Sequence, residues 1–233
     1  MTGYPKNLEE TALWKLYIEQ VPEKDSNRRI WVKKVFENAV TYLKYVCDTF
    51  PNYTLHDEKH VLNVIYAMGA ILGDQINRLS IGEVELLILA AALHDIGMVY
   101  DETDRQNAFK DERKSRCFLQ ENCPELIGVS YTEWPENTKQ WYLRTLHPFR
   151  LPEILNKGEW KELFSTRPRE IVPTENIIAV CQSHGENVLT IKNNESLKYL
   201  NFYETDSLFC AMLLRLADLL DFDDTRTPQI LFK

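Results

Sequence analysis

A chain of 233 residues that is 44% apolar can bury one sizeable core, and its net charge of −8 weighs against duplex DNA as the main partner. Its longest purely apolar run, from Leu86 to Leu93, is far too short to span a bilayer, and the polar first ten residues hold no signal-peptide core. Cys47, Cys117, Cys123, Cys181 and Cys210 are odd in number and irregularly spaced, with no C-x-x-C, so they read as reduced thiols rather than a disulfide frame or a zinc knuckle. The expected location is the cytoplasm.

Helical periodicity dominates along the chain and strand-like alternation is nearly absent, so the expected class is all-α. Residues 8–21 read as a first amphipathic helix. Residues 27–49 read as a longer one, with Ile30, Val32, Val35, Phe36, Val40, Leu43 and Val46 as its inward stripe and Pro51 beyond its end. Thr54 is a candidate N-cap for a helix carrying His56 and His60, closed at Gly73-Asp74. Ser80 and Glu83 form a capping box before a strongly apolar helix over 81–94, with Gly97 as its stop. A polar helix is expected over 105–121 and another over 136–147, limited by Pro148. Residues 151–173, with Pro152, Gly158, Pro168 and Pro173, are less regular and are expected to form an excursion near the site mouth. Thr174 opens a helix to His184, and a very apolar helix covers 207–221. We expect residues 1–50 to pack as helices on a core built by residues 51–233. The chain stops soon after its last helix, which hints at a longer protein.

All five histidines fall into one ordered pattern: His56-x-x-x-His60, His94-Asp95, His147 and His184, followed by Asp218. His56 and His60, at i and i+4 on a helix, would lie about 40° apart around the axis and ~6 Å along it, so both can point into one cavity. At the end of the apolar helix, the His94 nitrogen and an Asp95 oxygen can reach one ion, and the second Asp95 oxygen can bridge to another. Asp218 stands on a helix so apolar that its carboxylate is expected to be buried, and a buried carboxylate needs a cation. Arg215, one turn earlier, could supply it, and so could a metal. Taken singly, each histidine is explained as well by a structural role. Taken together, separate helices each deliver a ligand-type residue, which is how helical bundles build metal sites.

Three segments carry a resemblance: Tyr53-Thr54-Leu55-His56-Asp57-Glu58-Lys59-His60-Val61-Leu62-Asn63-Val64, Leu93-His94-Asp95-Ile96-Gly97-Met98, and Leu214-Arg215-Leu216-Ala217-Asp218-Leu219-Leu220-Asp221. In order and spacing they resemble the HD superfamily of metal-dependent phosphohydrolases, and within it the branch often joined to GHKL-type ATPase modules. The resemblance implies an HD-domain helical bundle with the metal site in its core. It implies that His60, His94, Asp95 and Asp218 hold a first metal, and that Asp95 bridges to a second held by His147 and His184. The cofactor expected is a divalent transition metal (Mn, Fe, Co, Ni or Zn), with two ions. His56 has a parallel in the H-N-x-x-H of cyclic-nucleotide phosphodiesterases, where the first histidine is the general acid, and Asp57 here replaces that Asn. HD-GYP enzymes carry a Lys where this chain has Met98, and Gly3-Tyr4-Pro5 lies at the wrong end for their motif, so cyclic di-GMP is not assigned.

The reaction implied is hydrolysis of a phosphate ester or anhydride in a small phosphorylated substrate, a nucleotide being the leading class. Catalytic candidates are His56 and Asp95. Arg144 and Arg150, three residues either side of His147, and Lys59 are candidates for binding phosphate. Arg105 is a further candidate, but for Arg105 and Lys59 solvated surface charge is the favoured reading. Rival readings are a single-strand nuclease, a di-iron oxygenase and a metal-holding regulatory module. Nucleic acid is not favoured as a partner, a membrane is excluded, and an ATPase module is a candidate partner.

Overall fold

Residue Val84 and every residue after it to Leu93 are buried, and this one helix organises the rest. The computed structural model describes residues 4–51, 57–199, 202 and 204–221, and among these it contains helices and no strand. In chain order the α-helices are α1 (Ala12–Gln20), α2 (Ser26–Leu43), α3 (Val46–Thr49), α4 (Glu58–Leu72), α5 (Ile81–Leu93), α6 (Glu102–Lys110) and α7 (Glu112–Asn122). They continue with α8 (Glu136–Leu146), α9 (Leu151–Leu155), α10 (Gly158–Ser165), α11 (Thr174–Ser183), α12 (Val188–Lys192), α13 (Glu195–Tyr199) and α14 (Ser207–Leu220).

Helix α5 is apolar on all sides, so water is unfavourable on every face, and α1, α2, α4, α11 and α14 pack around it. Its start is fixed by the capping box read from the sequence: Ser80 accepts from the Glu83 N–H while Glu83 accepts from the Ser80 N–H. Helix α4 ends before Gly73, whose φ of +50° suits a residue without a Cβ. No described helix is long and apolar enough to cross a membrane.

Several expected elements differ. The long helix over 27–49 breaks after Leu43 and resumes as α3. Ile30, placed in the inward stripe, is 63% exposed, while Trp31 and Ala39 are buried instead. The face of α2 that turns inward is therefore rotated by one residue near its start. The polar helix over 105–121 is two helices, because the Asp111 side chain accepts from the Lys114 N–H and caps α7. The expected excursion over 151–173 contains α9 and α10. Helix α10 lies against α2: the Trp31 indole N–H donates to the Leu163 carbonyl at 3.0 Å, and the Tyr42 and Trp160 rings meet at 6.0 Å. Thr54 lies outside the described residues. Asp57, in extended backbone, is the N-cap of α4, its side chain accepting from the His60 N–H.

One charged residue lies in the middle of α5. Glu85 is fully buried and accepts from Arg28 at 2.7 and 3.0 Å and from the Tyr17 hydroxyl at 2.9 Å. This ties α1 and α2 to α5 through one carboxylate. Burial pushes the Glu85 pKa up, and the Arg28 charge with the Tyr17 and Arg28 hydrogen bonds acts against it. Arg28→Met should cost about 3–5 kcal/mol of stability at neutral pH, because the carboxylate stays buried without its cation. The loss should shrink as pH falls: a folded-state pKa above the unfolded one means the fold binds the extra proton. Urea denaturation of Arg28→Met between pH 7 and pH 5, beside the double variant Arg28→Met/Glu85→Leu, measures both effects.

Candidate metal centre

Three helices end at the same place. His94, His147 and His184 are the C-cap residues of α5, α8 and α11. Helix C-termini leave carbonyls without intrahelical partners. Each of these histidines turns its Nδ1 back to a carbonyl three residues earlier: His94 to Ala91 at 2.9 Å, His147 to Arg144 at 2.5 Å and His184 to Cys181 at 2.5 Å. A carbonyl can only accept, so Nδ1 carries the proton and Nε2 presents a lone pair inward. His60 reaches the same result from the first turn of α4: its Nδ1 donates to Asp221 Oδ2 at 2.6 Å.

The four Nε2 atoms face each other in two pairs. His60 and His94 are 3.1 Å apart, and His147 and His184 are 2.9 Å apart. Asp95 stands between the pairs and divides its oxygens. Oδ2 lies 3.2 Å from both His60 and His94, and Oδ1 lies 3.2 Å from His147 and 3.5 Å from His184. Asp218 completes the first group, its Oδ1 3.7 Å from His60 and 3.8 Å from His94. Arg215 touches only the other Asp218 oxygen, at 3.9 Å. Arg215 therefore meets one oxygen, and the other is turned to the histidines.

Two ring nitrogens that face each other at 3 Å need positive charge between them, a shared proton or a metal cation. Bonds of about 2.1 Å to a shared ion would put neighbouring ligand atoms about 3.0–3.4 Å apart, close to the separations observed. The residues thus fit two metal subsites: His60, His94 and Asp218 with Asp95 Oδ2, and His147 and His184 with Asp95 Oδ1. The second has three protein ligands, which leaves coordination positions for water or substrate. The negative ends of three helix dipoles also favour a cation there.

Electrostatics favour positive charge in this cluster, carried by a proton when no metal is bound. Burial opposes charge on His94, but Asp95 and Asp218 outweigh it and hold its pKa well above the ordinary value. His184, buried and facing His94 and His147, is lowered. Asp218 is held below the usual carboxylate range, against its burial, by the hydrogen bond and charge of His94. The two carboxylates draw positive charge into the cluster.

Asp221 was missed as a functional residue at the level of sequence. The available signal was a second carboxylate three residues after Asp218 on the same apolar segment. Gly97 was expected only as a helix stop. Its real constraint is a close approach: a Cβ on it would lie 2.0 Å from the His147 carbonyl oxygen. Arg150, expected at the phosphate, makes three hydrogen bonds within the protein. Its Nη1 donates to the Gly97 and Val99 carbonyls, both at 2.6 Å, and its Nη2 to Asp104 at 2.5 Å, with the guanidinium 3.6 Å over the Tyr100 ring. It braces the segment just after Asp95. Lys59 and Arg144 are exposed, on the helices that deliver His60 and His147. His56 lies outside the described residues.

The family model described as HD-CE matches residues 50–233. No curated protein and no solved structure matches the chain. Gly97→Ala should force the His147 backbone away from Asp95 and cost about 1–3 kcal/mol, the usual penalty of overpacking. A lowered urea midpoint, with the far-UV spectrum retained, would show it; an unchanged midpoint would mean that the approach can relax freely.

Proposed function

The chain belongs to the HD-CE family, and from that premise we propose that it is a metal-dependent phosphohydrolase with two adjacent metal subsites joined by Asp95. The observation that carries this reading is the division of the Asp95 carboxylate between two histidine pairs, its oxygens 3.2–3.5 Å from the four Nε2 atoms. The donor set of four imidazoles and two carboxylates suits Mn, Fe, Co, Ni or Zn better than Mg. When bound, such ions supply Lewis acidity toward a phosphoryl oxygen and make water a nucleophile near neutral pH.

The protein's own contributions are positional. Asp95 fixes the spacing between the subsites, and the backbone carbonyls of Ala91, Arg144 and Cys181 hold three rings in the tautomer that faces inward. Asp218, 22% exposed in its side chain, marks the edge of the cluster nearest solvent. We place the substrate phosphate at that edge, with Lys59 and Arg144 as candidates to meet its charge. Arg150 serves indirectly, by bracing the backbone after Asp95. The proposed substrate is a small phosphate ester or anhydride, a nucleotide first among them. His56 is the proposed acid for the leaving oxygen, and it rests on the sequence parallel alone.

Asp95→Ala should release bound divalent metal from both subsites and abolish hydrolysis; a variant that keeps its full metal content overturns the assignment. Elemental analysis reads the first part. A panel of nucleotides, cyclic dinucleotides and single-stranded oligonucleotides with Mn2+ reads the second. His56→Ala should keep its metal and lose about 10²–10⁴-fold in kcat. That loss should shrink on substrates with an activated, low-pKa leaving group. An equal loss on both kinds of substrate argues against a proton-donor role.

A further inference from the structure

The first metal subsite is supported by residues that no ligand pattern includes. His60 Nδ1 donates to Asp221 Oδ2 at 2.6 Å, and the Asn63 side-chain N–H donates to Asp221 Oδ1 at 2.9 Å. Asn63 is one turn after His60 on α4, and both side chains are buried. Asp221 is the residue at which α14 ends, three positions after Asp218. Its side chain is only 3% exposed.

The other three histidines rest Nδ1 on neutral carbonyls of their own helices. His60 alone among the four rests it on a carboxylate, supplied by a different helix. A carboxylate behind an imidazole does two things that a carbonyl does less strongly. It fixes the Nδ1–H tautomer, and it raises the electron density, and so the ligand strength, of Nε2. The second oxygen of Asp221 is held by Asn63, so the carboxylate cannot rotate away from the ring without breaking that bond.

We propose that Asp221, held by Asn63, is the positioning residue of the first metal subsite, setting the tautomer and the metal affinity of His60. The same helix therefore serves the subsite twice, with Asp218 facing the Nε2 side of His60 and Asp221 the Nδ1 side. Helix α14 cannot shift along α4 without disturbing both. This inference rests on the metal reading above, and its test separates the two.

The experiment pairs 15N NMR of the histidine rings in metal-free protein with titration of Mn2+ or Zn2+ into the full chain. The variants are Asp221→Ala, Asp221→Asn and Asn63→Leu, with His147→Ala to mark the second binding step. In the wild type, the His60 ring should show the Nδ1–H tautomer. Asp221→Ala should lose that preference and weaken one of the two binding steps by about 10- to 100-fold, the range typical of such supports, leaving the other step unchanged. Asp221→Asn, whose amide oxygen still accepts from Nδ1, should keep the tautomer and recover part of the affinity. Asn63→Leu should fall between wild type and Asp221→Ala. An Nδ1–H tautomer and an affinity both unaltered in Asp221→Ala overturn the proposal. Equal weakening of both steps also overturns it, since that signals general loss of structure. A wild-type chain that takes up no divalent ion defeats the metal reading, and the ring tautomer in metal-free protein then decides the role of Asp221.

Discussion

The structure depends on a convergence of ligand atoms in a largely buried cluster. Four Nε2 atoms and two carboxylates meet behind a shell of apolar helices, and each ring is locked so that it offers electrons inward. In water such a cluster would dissolve into separate solvated groups. Inside the protein the groups cannot separate, because each is fixed to the end of a packed helix. Confinement turns mutual repulsion into affinity for a cation.

The helix ends make this possible at little local cost. A helix C-terminus has carbonyls to satisfy, and a histidine at that position satisfies one through Nδ1. The hydrogen bond that completes the helix is the one that orients the ligand. The same solution appears at α5, α8 and α11, always with a carbonyl three residues back. Gly97 then lets the backbone at His147 come close enough to Asp95 for one carboxylate to serve both pairs.

Helix α5 contains two buried charge systems of contrasting kind. Glu85, at mid-helix, is met by a guanidinium from α2 and a phenol from α1, so its charge is balanced within the protein. At the end of the same helix, Asp95 is ringed by imidazoles whose charge depends on what they bind. The first system anchors the N-terminal helices to the core. The second gives the core its chemistry. Arg150 links the second to its surroundings, with both carbonyl contacts falling just after Asp95.

The sequence by itself determined the helical class, the capping box at Ser80 and Glu83, the C-terminal end of α4, both ends of α11, and the ordered set of residues that meet at the cluster. These are legible because periodicity, caps and ligand-type residues are local properties of a chain. The break after Leu43 and the exposure of Ile30 escaped it, because the competing preferences there are weak and packing decides between them, while the division at Asp111 turns on one side-chain cap. Only the tertiary structure decided that Asp95 splits its oxygens between two histidine pairs, that Asp221 stands behind His60, and that Arg150 is spent on backbone carbonyls. Apart from Asp95 with its neighbour His94, each of these is a contact between residues at least thirty-five positions apart. Which helix ends meet is set by how apolar faces pack around α5, and no window of local sequence contains that information.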